Sequence, residues 1–116
     1  MKLYRQGDIL LQEVSSLPVD LVAIPRADGK IVLAKGEATG HAHTISDAEC
    51  VLFAQPAETG AGTSTHNLAR TTWLTIRKAF AMLDHEEHDA LAIPRGQYRI
   101  IRQREFDRNM IRMVAD

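Results

Sequence analysis

A chain of 116 residues has the length of one domain. With 45% hydrophobic and 25% charged residues it has the make-up of a protein that buries a core, which excludes a disordered or fibrous chain. A net charge of −1 gives no overall pull toward nucleic acid or an anionic membrane, and one cysteine, Cys50, excludes an intrachain disulfide.

The stretch Met1 to Asp8 lacks the apolar run of a secretory signal, and no apolar run is long enough to span a bilayer. A cytoplasmic protein without membrane contact is expected. Tyr4, Arg5 and Gln6 precede the first strand and receive no role. After a Gly-Asp turn, Ile9–Val14 reads as a strand. Leu21–Ile24 is a second apolar run, closed by Pro25. Asp28-Gly29 separates it from Ile31–Ala34, which predicts a hairpin. Gly36 and Gly40 lead into Gly40-His41-Ala42-His43. Glu49–Ala54 is the next strand. Thr59–His66, rich in small and hydroxyl residues, reads as a loop.

Thr72–Lys78 alternates and is rich in β-formers, and Phe80, Met82 and Leu83 continue it toward Asp84-His85-Glu86-Glu87-His88-Asp89. Leu91–Ile93 is short and runs into Pro94-Arg95-Gly96, which has turn chemistry. Tyr98–Phe106 is the last strand, and 107–116 reads as a short helix or a tail. No repeat or linker divides the chain. The expectation is an all-β domain over 1–116, a small barrel or sandwich of about six to eight short strands.

Two histidine pairs carry the functional signal. Alternate side chains on a strand share a face, so His41 and His43 point the same way. His85 and His88, three apart, converge on a tight turn or one helical turn. Neutral imidazole is the commonest metal ligand. The four histidines therefore form a candidate site for a divalent transition metal such as Zn, Fe, Ni or Mn, with Glu86 or Glu87 as a further ligand or general base. His66 stands alone in its loop and fits a solvent-exposed residue or a lid. Cys50, in an apolar run, reads as an inert thiol.

Gly36-x4-His41-x-His43-x5-Glu49 followed by Pro94-x-Gly96 resembles the two motifs of the cupin superfamily. The resemblance implies a small double-stranded β-barrel with the metal inside, held by the two histidines and Glu49. Where the second cupin motif has its third histidine this chain has Arg99, and Gln103 stands at the later asparagine, so His85 or His88 takes the missing ligand's place. The cupin-like alignment sets Arg99 beside the pocket as a candidate catalytic residue. The fuller pattern, from Gly-His-x-His through His-Glu-Glu-His to Pro-x-Gly-x-Tyr, also resembles small bacterial and phage proteins of unknown activity.

Six of the ten arginines lie in the last 22 residues. Such a set holds phosphate or carboxylate, or protects an exposed strand edge. The sequence thus leaves three functions standing. The leading one is metal-dependent chemistry on a small anionic substrate. The second is RNA binding or processing with paired histidines as acid and base. The third is a metal that only ties loops together. A homodimer through exposed edges is compatible with each.

Overall fold

The computed structural model describes residues 2–35, 41–56 and 71–102. The loop at 59–66 with His66, the glycines Gly36 and Gly40, and Gln103, Arg104 and the tail at 107–116 lie outside the described residues. Eight strands and no helix are present among them: β1 (Leu3–Gln6), β2 (Ile9–Val14), β3 (Val22–Ala23), β4 (Ile31–Lys35), β5 (Ala42–Ile45), β6 (Cys50–Ala54), β7 (Thr72–Asp84) and β8 (Leu91–Arg102). The all-β expectation holds. Every pairing is antiparallel, and the sheet runs β1-β2-β8-β7-β5-β4, with β6 also on β7 and β3 on β6.

The long strands β7 and β8 set the shape. Their pairing is regular from Thr72↔Ile100 to Ile76↔Gly96 and again from Phe80↔Pro94 to Leu83↔Leu91. Between these stretches β7 inserts Arg77, Lys78 and Ala79 opposite Arg95 alone. Extra residues on one strand bend it and raise its twist. They also reverse which residues face inward. Leu74 and Ile76 are buried before the irregularity and Ala81 and Leu83 after it; on β8 the buried set changes from Ile93 to Tyr98 and Ile100.

The bend divides the sheet into two leaves. One holds β1, β2, the C-terminal half of β8, the N-terminal half of β7, β6 and β3. The other holds the remaining halves of β7 and β8 with β5 and β4. Their inner faces share one core, with Ile9, Leu11, Leu52, Leu74 and Ile100 from the first leaf and Ile31, Ile45, Leu83 and Ile93 from the second. The result is a curled half-barrel. Period-two burial is clean on β4 and β6, where Ile31, Leu33, Cys50, Leu52 and Ala54 turn inward. Trp73 is buried on β7.

Three local expectations are corrected. Residues 3–6 form a strand, paired to β2 through the Gly7-Asp8 turn, where Gly7 has φ +57°. The Asp28-Gly29 turn is real, with φ +53° and +76° and a bridge between Ala27 and Lys30. The run before it does not pair with the run after it, because β3 lies along β6 instead. Pro94-Arg95-Gly96 is no chain reversal either. β8 passes straight through it, and the proline sits beside the bulge, one of the places where a strand tolerates it.

Candidate metal centre

The β5–β7 register brings the two histidine clusters together. Thr44 lies opposite Asp84 and Ile45 opposite Leu83. Continuing the same antiparallel count sets His43 against His85, Ala42 against Glu86 and His41 against Glu87. The contacts follow that order beyond the ladder. The His43 and His85 rings lie 4.4 Å apart between centroids. The Ala42 N–H donates to Glu86 Oε1 at 2.9 Å, and His41 Nδ1 meets Glu87 Oε1 at 2.5 Å. His85 also lies 5.7 Å from the His41 ring and 4.5 Å from that of His88, and His88 stacks nearly parallel to His43 at 6.1 Å. All four histidines named from the sequence therefore form one cluster at the end of the second leaf.

The first leaf contributes three residues that the sequence reading left without a role. Gln6 and His43 are the buried polar side chains among the described residues, each 3% exposed. Buried polar groups require partners, and these two are each other's. Gln6 Nε2 donates to the carbonyls of Leu83 at 2.9 Å and Asp89 at 3.0 Å, and its Oε1 lies 2.8 Å from His43 Nδ1. His43 Nε2 meets Asp8 Oδ1 at 2.7 Å. Between them, Gly7 lies so close to His88 that a Cβ built there would stand 2.4 Å from its Nε2. The β1–β2 turn is thus docked on the β7–β8 connection. The sequence signalled the turn, through the Gly-Asp pair before Ile9–Val14, but not its docking.

The histidines differ in the nitrogen left free. Both amide hydrogens of Gln6 go to carbonyls, so its Oε1 accepts from His43 Nδ1–H. His41 Nδ1 faces the Glu87 carboxylate, which fixes its proton there and leaves Nε2 free. His85 Nδ1 instead accepts the backbone N–H groups of Glu87 at 3.0 Å and His88 at 3.3 Å, which caps the turn. A neutral His85 therefore carries its proton on Nε2, and ligation through that atom requires the proton to move to Nδ1 and the cap to open.

Burial is the main reason the His43 imidazole titrates below its ordinary 6.5; the hydrogen bond and charge of Asp8 oppose it, and His85 and His88 add to the lowering. The N–H of Ala42 holds the Glu86 carboxyl below its ordinary value of 4.5. One ligand atom from each of His41, His85 and Glu86 lies within 4.8 Å of the other two, close enough to share an ion. Glu86, Glu87 and His88 are exposed and His41 half-buried, so the cluster opens to solvent.

Other sequence candidates lie elsewhere. Arg99 is exposed on β8 between the buried Tyr98 and Ile100, hence on the outer face of the sheet, across from Gln12 and Trp73. Glu49 sits exposed in the turn before β6, and the carboxylates that contact the histidines are Asp8, Glu86 and Glu87. Cys50 is buried, and that burial raises its thiol above its ordinary value of 9.0, which suits the inert reading.

Fold and site together define a small all-β half-barrel with a histidine–carboxylate cluster where its two leaves meet. Residues 5–103 match the family described as a domain of unknown function, DUF8820, and the chain belongs to that family. No curated protein and no solved structure matches it. No helix among the described residues is long and apolar enough to cross a membrane.

Proposed function

We propose that this protein binds a divalent transition metal at the histidine cluster and uses it for chemistry on a small anionic substrate. The observation that carries the reading is the spacing of the rings. An imidazole bound at 2.0–2.1 Å has its centre roughly 3.2 Å from the ion, so two rings about 90–110° apart at one ion have centres roughly 4.5–5.2 Å apart. The separations of 4.4, 4.5 and 5.7 Å around His85 sit near that range. Four imidazoles and three carboxylates suit Zn, Fe, Ni or Mn.

The exposure of Glu86, Glu87 and His88 favours a site with an open position over a closed structural one. A bound ion there would draw an anionic substrate and polarise it, and a neighbouring carboxylate would serve as general base. The cupin-like reading of the barrel fits this arrangement, with the second histidine cluster in place of the family's third ligand.

Elemental analysis of gently purified protein tests the reading. About one equivalent of a transition metal is expected, or recovery of it on reconstitution. Changing His41 and His43 together to Ala should abolish uptake while the β-sheet circular dichroism persists. Less than about a tenth of an equivalent in the wild type, with no gain on reconstitution, sinks the proposal.

A further inference from the structure

We infer that Asp8, in the β1–β2 turn, is a ligand of the metal alongside His43 Nε2, and that Gln6 is the positioning residue that turns that nitrogen toward it. The inference rests on metal binding at the cluster and adds residues from the opposite leaf of the fold.

The argument begins with Gln6. Its amide hydrogens are fixed by two backbone carbonyls, Leu83 and Asp89, which belong to the end of β7 and the connection after it. Its orientation is therefore set by main chain. The Oε1 so directed can only accept, and His43 Nδ1, 2.8 Å away, is the donor. A histidine whose Nδ1–H is held by an outer acceptor presents an Nε2 lone pair, the arrangement common to metal-ligating histidines.

That lone pair faces a carboxylate oxygen at 2.7 Å. Two lone pairs cannot meet at that distance without a cation between them. In the metal-free protein a proton fills the place. A divalent ion fills it with greater charge, and the displaced proton leaves to solvent. The geometry needs little change. A metal bonded to both atoms at about 2.0–2.1 Å, with an angle near 90–110°, sets them roughly 2.9–3.4 Å apart. Asp8 is 61% exposed, so its carboxylate can withdraw by those few tenths of an ångström without disturbing the core.

Gly7 supports the same placement. It brings the turn against His88 Nε2, one residue before the carboxylate that meets His43. Asp8 and His43 together would draw ligands from both leaves.

Co2+ titrated into the full-length protein, followed by calorimetry and visible absorption, tests the assignment. Asp8→Asn keeps the size and exposure of the side chain and removes the charge. It should weaken Co2+ binding by at least about tenfold and alter the visible band, since the ligand set changes. Asp84→Asn, which removes an exposed carboxylate beside the cluster, serves as the charge control. Gln6→Leu should weaken binding about 10–100-fold. In the metal-free wild type, long-range nitrogen–proton correlation should find a His43 proton on Nδ1 and a second one shared between Nε2 and Asp8; a bare Nδ1 would overturn the role given to Gln6.

If the wild type takes up no Co2+ or Zn2+, the metal reading falls and this assignment with it. If the wild type binds and Asp8→Asn binds equally well, the assignment alone falls and the metal centre stands. An Asp8→Asn loss no larger than that of Asp84→Asn, with an unchanged band, also overturns it, because only bulk charge was removed. Should Gln6→Leu fail to fold, the exposed Asp8 variant still decides the question.

Discussion

Tyr98 is wholly buried, with its hydroxyl donating to the Pro94 carbonyl at 2.7 Å and its ring edge-on to Tyr4 at 5.9 Å. Burial first, with Tyr4 and Glu13 adding, pushes its phenol up from 10.0 to about 12. The folded state therefore holds the proton that the unfolded state has already released. Its contribution is fully present below pH 10 and falls away as pH rises toward about 12. At about 1.4 kcal/mol per unit, that is on the order of 2–3 kcal/mol. Denaturant titrations at pH 9 and pH 12 should show a decline in the wild type that is smaller by that amount in Tyr98→Phe; equal declines would discard the assignment. Gly7 makes a second case at this scale. Its φ of +57° costs an L-residue about 1–2 kcal/mol, and a Cβ would overlap His88. Gly7→Ala should lose at least about that much stability and move the His88 ring resonances. Unchanged resonances would mean that the turn does not rest on His88.

The strands show where the sequence could be read and where it could not. β2, β4 and β6 are short apolar runs bounded by turn residues, so Ile9–Val14, Ile31–Ala34 and Glu49–Ala54 were legible as strands, and burial alternates along β4 and β6. β7 and β8 change their inward parity at the irregularity, so a strict alternation cannot describe either as one strand. That is why β8 read as two pieces around Pro94-Arg95-Gly96, whose turn chemistry serves the bend instead. β1 was obscured because Leu3 to Gln6 carries no alternating apolar pattern: Gln6 is its one buried residue, with Tyr4 partly buried against the core. The partner of β3 was set by long-range packing that no local signal carries. The inward parity makes its own prediction. Ile93, with no exposed surface, lies after the bend on the inner face, so Ile93→Ala should cost about 2–5 kcal/mol in chemical denaturation. Phe80, half-exposed on the other face, should tolerate Ser with a change under about 1 kcal/mol. A large loss at Phe80 would show that its outward face is covered.

At the scale of the molecule, the candidate centre was legible in kind but not in extent. The residue types and spacing of His41, His43, His85 and His88 made them candidates for one site, because alternate strand positions share a face and imidazole is the commonest metal ligand. Their convergence depends on the β5–β7 register, and the share of Gln6, Gly7 and Asp8 depends on the closing of one leaf against the other. Neither is written in any local stretch. The same closure has a thermodynamic consequence. Gln6 joins the leaves through two hydrogen bonds, one to the end of β7 and one to the connection after it, and the cluster joins them through His43 and Asp8. An ion held across that seam binds the folded state and not an unfolded chain in which residues 6 to 88 are scattered. At about one hundred times its dissociation constant it should add about 2.7 kcal/mol, a rise in melting temperature on the order of 10 °C for a chain of this length. Thermal melts with Zn2+ should show that rise, a chelator should reverse it, and Asp8→Asn should lose part of it. If the variant lacking His41 and His43 gained as much from Zn2+ as the wild type, the ion would be acting elsewhere. The leaves would then be held by Gln6 and the shared apolar core alone.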